Sequence, residues 1–245
     1  MWQVSTVAAK QSSMQILDHM ALLSPLDWVA AGAILLAYLL IGWRIEHPGA
    51  KNPSVTVLMS EHRRDWMRVF VTRDPRIFDS QILASLRQGT SFFASTCLLA
   101  VGGVLALAGN TEPLRGVAAE VSEMAVPVLI FQLKLALVAI FLTNAFLKFV
   151  WANRVFGYCA VLMAAVPNDP SDPEAYPRAA QAAELNIRAA INFNRGLRAM
   201  YFALGALAWL LGASALIIAT IVVVWVVWSR EFTSLPRSIL LKDPS

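Results

Sequence analysis

The chain has 245 residues, 58% of them hydrophobic and 15% charged, with a net charge of +4. Soluble domains average about 45–50% apolar and about 25% charged residues, so this composition excludes an ordinary soluble domain and points to a membrane protein. The length admits one helical bundle plus loops. The basic residues sit beside apolar runs, a pattern of membrane anchoring and not of nucleic-acid binding.

Residues 1–24 form an expected outer tail. They carry one cation, Lys10, and no apolar stretch of roughly 7–15 residues ending in a small-residue cleavage site, so the first span is expected to be retained. A bilayer core about 30 Å thick is crossed by roughly 20 apolar helical residues, which predicts a first transmembrane helix over 25–43. Ser24-Pro25-Leu26-Asp27 supplies a hydroxyl cap, a proline in the first turn and a carboxylate at the positive helix end.

Residues 44–90 are polar. Val55, Leu58, Met59, His62, Trp66, Val69 and Phe70 recur at helical spacing, which predicts an amphipathic interfacial helix. Arg73-Asp74-Pro75-Arg76 breaks it, and a second short helix over 77–88 leads into the next span, 91–109. That span holds many small residues, and Gly102 with Ala106 is spaced like a tight helix–helix seam. A short acidic loop with Glu112, Glu120 and Glu123 precedes the third span, 126–150. Helix is expected to continue to about residue 166, where Pro167-Asn168-Asp169-Pro170 ends it. An alanine-rich helical loop then leads into the fourth run, 200–228, long enough that one helix must tilt or protrude. Gly205 and Gly212 are its two possible kink points. Residues 229–245 form the C-terminal tail.

Lys and Arg collect on one side. Loop 44–90 has eight and loop 151–199 has five, against one in the N-tail, one in the second loop and three in the C-tail, or 13 against 5. Both basic loops are therefore expected in the cytoplasm and both termini outside. Trp28, Trp225 and Trp228 would mark the outer interface, and Trp43, Trp151 and Tyr201 the inner one. The expected fold class is an all-α integral membrane protein, four transmembrane helices with cytoplasmic interfacial helices.

Three stretches resemble a membrane-protein family, domain of unknown function 599. They are Arg64-Asp65-Trp66-Met67 with Arg73-Asp74-Pro75-Arg76-Ile77-Phe78-Asp79-Ser80-Gln81 and Phe92-Phe93-Ala94-Ser95-Thr96, then Phe149-Val150-Trp151 with Arg154, Tyr158 and Pro167. The third is Asn194-Arg195-Gly196-Leu197-Arg198 followed by Tyr201-Phe202-Ala203-Leu204. The resemblance covers about Trp28 to Trp228 and implies a multi-span protein of the bacterial inner membrane. It brings no catalytic residues.

Motifs of chemistry are missing. His19, His47 and His62 all lie outside the spans, which leaves no paired intramembrane haem ligands. The sequence has no HExxH, P-loop or GxSxG pattern. Cys97 and Cys159 do not form a disulfide framework or, alone, a zinc site. No catalytic, cofactor or metal residues are therefore expected, and an enzyme is the less favoured class.

Two polar groups are the candidates. At the membrane rim, Arg73, Asp74, Arg76, Asp79 and Gln81 crowd one proline, with Arg154 and Arg198 across from them. The simplest expectation is a salt-bridge network, Arg76 with Asp79 and Arg154 or Arg198 with Asp74. Binding of anionic lipid is the alternative. Inside the third span, Lys134 either snorkels to the outer interface with Gln132, or lines a cavity or meets a carboxylate. Asn144 is expected to bond a neighbouring helix. The expected partners are membrane lipids, anionic ones among them, in a homo-oligomer or membrane-protein complex. The expected function is structural or accessory, a subunit or scaffold. A small transporter or channel, with a polar path near Lys134 and Asn144, is the other reading, and a lipid-modifying enzyme at the 73–81 charges the third.

Overall fold

The computed structural model describes residues 23–49, 51–110 and 128–242. The tail before them, the acidic loop and the first two residues of the expected third span lie outside the described residues. Everything regular among the described residues is helical. The elements are α1 (Pro25–Glu46), α2 (Val55–Thr72), α3 (Ile77–Gly109), α4 (Val128–Ala164), α5 (Ala175–Leu207), a 3-10 turn (Ala208–Leu211), α6 (Ala213–Trp228), a π turn (Ser229–Thr233) and α7 (Leu235–Leu240).

α1 begins as its sequence predicts. Asp27 N–H donates to Ser24 Oγ at 3.2 Å, Ser24 N–H donates back to the Asp27 carboxylate at 3.1 Å, and Pro25 occupies the first turn. Ser54 caps α2 and also donates its hydroxyl to Ile45 O at 2.7 Å, which ties the end of α1 to the start of α2. At 1.5 Å per residue, the 33 residues of α3 and the 37 of α4 run to about 50 and 55 Å. Both are far longer than an apolar layer of about 30 Å.

Contacts at successive levels fix the directions. α3 and α4 are antiparallel, since Asn153 bonds Ser91, Phe93 stacks on Phe149 and Gln132 reaches Ala108. α4 and α5 are antiparallel too. Arg178 reaches Ala165, Cys159 donates to Ala182 O, Phe149 meets Phe193, and Phe141 meets Phe202. α2 stands antiparallel beside the first half of α5, with Thr56 at Asn194 and Arg64 at Glu184. It runs along the bundle. Together α2, the start of α3, the end of α4 and the start of α5 make a four-helix stem around Met67, Phe70, Leu83, Phe156, Cys159, Met163 and the alanines of α5. Small residues let these helices approach. At Gly196 a Cβ would stand 2.7 Å from the Phe149 ring, so only glycine fits there.

The fourth apolar run differs from expectation. It is two segments. The upper part of α5 climbs to Trp209, whose indole donates to Asp27 Oδ1 at 2.7 Å, level with the start of α1. Gly212, at φ 130°, then reverses the chain, a backbone region in which glycine pays no Cβ penalty. α6 descends beside α5, with Val223 against Gly205 and Arg230 against Tyr201. The C-terminal segment therefore arrives at the Glu46 end. There Glu231 accepts from Thr56, and Arg237 donates to Pro53 O at 2.9 Å. The expectation of a single span over 200–228, with its tail at the Asp27 end, is corrected. Trp225 and Trp228 accordingly lie at the Trp43 end, not with Trp28. One long run and two short ones have the same average hydropathy, and only the left-handed glycine separates them.

Four helices are long and apolar enough to cross a membrane: Pro25–Glu46, Ile77–Gly109, Val128–Ala164 and Ala213–Leu240. The upper part of α5 is not among them; it carries Asn192, Asn194, Arg195 and Arg198. It is enclosed by α1, α4 and α6, and a helix that faces other helices need not be apolar all round. Its Phe202, Ala203, Ala206 and Trp209 join Ile34, Leu135, Phe141 and Leu216 in one core. The expected seam at Gly102 and Ala106 is not used inside the chain. Both face outward, and Cys97 and Val104 make the buried side of α3.

Candidate functional site

Where α1 ends, its last residue turns inward. Glu46 Oε1 accepts from Arg195 Nε at 2.8 Å and from Arg198 Nη2 at 2.5 Å, while Glu46 Oε2 also pairs with Arg195. Arg195 and Arg198 are one turn apart on α5 and so share a face. Arg198 is only 6% exposed and lies against Gly42. Two cations thus share one carboxylate, in a place where an unpaired charge would be costly. Two turns before Glu46, Tyr38 packs edge-on against Phe141 and Phe202, and its hydroxyl accepts from Asn144 Nδ2 at 2.7 Å. Asn144 thus bonds a neighbouring helix, as expected. Arg44 projects to the other side, its guanidinium 4.8 Å from the Phe232 ring centre.

The rim cluster forms a network with other pairings than expected. Asp79 is fully buried, and it pairs with Arg73, not Arg76, while Trp66 Nε1–H donates to the same oxygen at 2.6 Å. Arg76 instead donates to three carbonyls, Val71 at 3.0 Å and Val166 and Pro167 at 2.8 Å, with Phe70 under its guanidinium. It thereby holds the turn that follows α4. Arg154 is exposed and donates to Tyr158, four residues on. Arg198 belongs to Glu46. Asp74 and Gln81 are exposed and make no ion pair or side-chain hydrogen bond among the described residues. The pairing of Asp74 with Arg154 or Arg198 is therefore corrected. The cluster lies at the far tip of the stem, about 20 Å along α3 from the apolar half of that helix.

Lys134 lies at the opposite end. Its ammonium is 6.0 Å from the ring centres of Phe131 and Trp209, and Asp27, which holds that Trp209, is the acidic group acting on it. Gln132 does not accompany it. The Gln132 amide donates to Ala108 O at 3.0 Å and caps the end of α3. Lys134 and Asn144 are thus engaged separately, about 15 Å apart along α4.

Three groups were not singled out from sequence. Glu46 gave one signal, a carboxylate at the end of an apolar run, and its partners gave another, arginines three apart on an alanine-rich helix. Trp66 reads as an interfacial anchor by composition and is in fact the donor to Asp79. Glu231 closes the start of α2 through Thr56, its N–H at 3.0 Å and its hydroxyl at 2.9 Å, and nothing in the C-tail sequence marks it for that role.

α2 also separates two neighbouring arginines. Arg64 bonds Glu184 and Glu61, and the bond to Glu184 raises its basicity above the ordinary value. Arg63 turns inward to Asn186, and burial lowers its basicity, although an arginine keeps its charge. Among the described residues no three His, Cys, Asp or Glu side chains gather as metal ligands would. The arrangement offers charge neutralisation and anion contact.

No curated protein and no solved structure matches this chain. A family model described as "Protein of unknown function, DUF599" matches residues 29–236, which is most of the sequence, and the chain belongs to that family.

Proposed function

We propose that this is a multi-pass protein of the bacterial inner membrane that serves as an accessory subunit or scaffold, binding lipid and membrane-protein partners or further copies of itself. The observation that carries the proposal is that two carboxylates and an amide turned into the helices, those of Glu46, Asp79 and Asn144, are answered within the chain. Glu46 has Arg195 and Arg198, Asp79 has Arg73, and Asn144 has Tyr38. A conduction path needs polar groups left free for a substrate. Here Lys134 sits beside Trp209 at the Asp27 end and Asn144 is bonded well away from it.

The reversal at Gly212 gives this reading a topology with five crossings, α1, α3, α4, the upper part of α5, and α6. The stem and C-terminus are cytoplasmic and the start of α1 is outside. Fourteen of the 20 Lys and Arg then share the cytoplasmic side, with Arg195 and Arg198 beside Glu46 in the upper part of α5, Lys10 and Arg115 opposite, and Lys134 and Lys148 in the third span. The C-tail cations no longer oppose the charge rule.

Mild-detergent purification of the full chain with mass spectrometry of what accompanies it is the test. The same membrane protein, or a fixed number of copies of this chain, should co-purify in two unrelated detergents. A monomer that instead carries a solute or ion flux when reconstituted into vesicles would overturn the scaffold in favour of the transporter.

A further inference from the structure

Arg63 of α2 and Arg230 of the π turn line one cavity of about 390 Å³ between α2, α5 and the C-terminal segment. Ser60, Asn194 and Ile191 are among its other walls. The volume falls within the roughly 300–1,000 Å³ of small-ligand sites.

The two arginines differ from the six that pair with carboxylates. Arg64, Arg68, Arg73, Arg178, Arg195 and Arg198 all pair with carboxylates. Among the described residues, Arg63 donates to the neutral Asn186 amide, and Arg230 donates to the Tyr201 hydroxyl while lying 5.0 Å over its ring. Each guanidinium has five N–H donors, so most remain available. Glu231 also borders the cavity, but both its oxygens are turned to Thr56, and it neutralises only one of the two positive charges. A net single positive charge with spare forked donors suits a phosphate monoanion.

Position names the source of that phosphate. Arg230 follows Trp228 at the aromatic end of α6, and the adjoining α7 exposes Leu235 and Ile239. Exposed apolar side chains beside basic ones are how an interfacial segment dips below the headgroups. Resting on the membrane reading above, we propose that the cavity binds the phosphate of an anionic phospholipid headgroup, drawn in by the positive charge of Arg63 and Arg230 at its two ends.

Native mass spectrometry of the detergent-purified full chain, titrated with phosphatidylglycerol, phosphatidylcholine or inorganic phosphate, tests this. One phosphatidylglycerol should be retained at least about tenfold more tightly than phosphatidylcholine. R63Q/R230Q should lose that preference. S60E, which adds a negative charge to the wall and keeps both arginines, should lose it too, and S60E decides alone if the double variant does not fold. R188Q, an exposed arginine outside the cavity, should bind as the native chain does. Undiminished phosphatidylglycerol binding in S60E overturns the site, and so does the absence of any preference in the native chain. Displacement of phosphatidylglycerol by equimolar inorganic phosphate overturns the headgroup and points to a soluble phosphate compound. Because labelling from the two sides of the membrane reports topology independently, failure of the site leaves the membrane reading standing.

Discussion

Glu46 and Arg198, 152 positions apart in sequence, meet at 2.5 Å and close α1 onto α5. Arg195 holds the same carboxylate from the next turn. Glu46→Gln would leave two guanidinium groups facing one neutral amide. Removing one partner of a buried ion pair costs about 3–5 kcal/mol, and the carboxylate's 15% exposure places the effect near the low end. Thermal unfolding in detergent, followed by tryptophan fluorescence, should show that loss. Adding Arg198→Gln to Glu46→Gln should cost less than Arg198→Gln alone, since the two act as one unit. Strictly additive losses would remove the pair from the account.

The reversal at Gly212 is open to direct mapping. A single cysteine placed at Ser238 should react with an impermeant thiol reagent from the same side as one at Arg188, and one at Ser24 from the other side. Native Cys97 and Cys159 are both buried and should react only after denaturation. Labelling of Ser238 and Ser24 from one side would restore a single crossing over 200–228.

Asp79 and Asp74 should differ sharply despite their closeness in sequence. Asp79→Asn removes the partner of Arg73 inside the stem and should destabilise by about 3 kcal/mol. Asp74→Asn, at an exposed position without an ion pair, should stay within about 0.5 kcal/mol. Equal effects in the same unfolding assay would mean that the buried pairing is not what holds the 73–79 turn.

Gly196→Ala tests the closest approach of α4 and α5. The added methyl meets the Phe149 ring at 2.7 Å, and overpacking of this kind costs about 1–3 kcal/mol. Phe149→Leu should recover part of the loss in the double variant. Gly212→Ala meets no neighbour and should lose stability only through its backbone, by about 1–3 kcal/mol.

The Ser24 cap, the break after α2 and the continuation of α4 past residue 150 are all readable from sequence, because each depends on residues within a few positions. The pairings are not readable in this way. Arg76 and Asp79 have a spacing that favours a bond along a helix, yet Arg76 turns to the carbonyls of Val166 and Pro167. Carbonyls in the turn after a distant helix are invisible in a charge pattern. The enclosed upper part of α5 is hidden for a related reason. Hydropathy counts Arg195 and Arg198 against an enclosed setting, whereas Glu46, far away in the chain, pairs with both of them there.

α3, α4 and α5 each pass from the apolar bundle into the stem without a break. No joint exists in these three rods at which the protruding part could swivel on its base. A binder that tilts the tip near Arg76 must therefore tilt the same helices near Phe141 and Phe202.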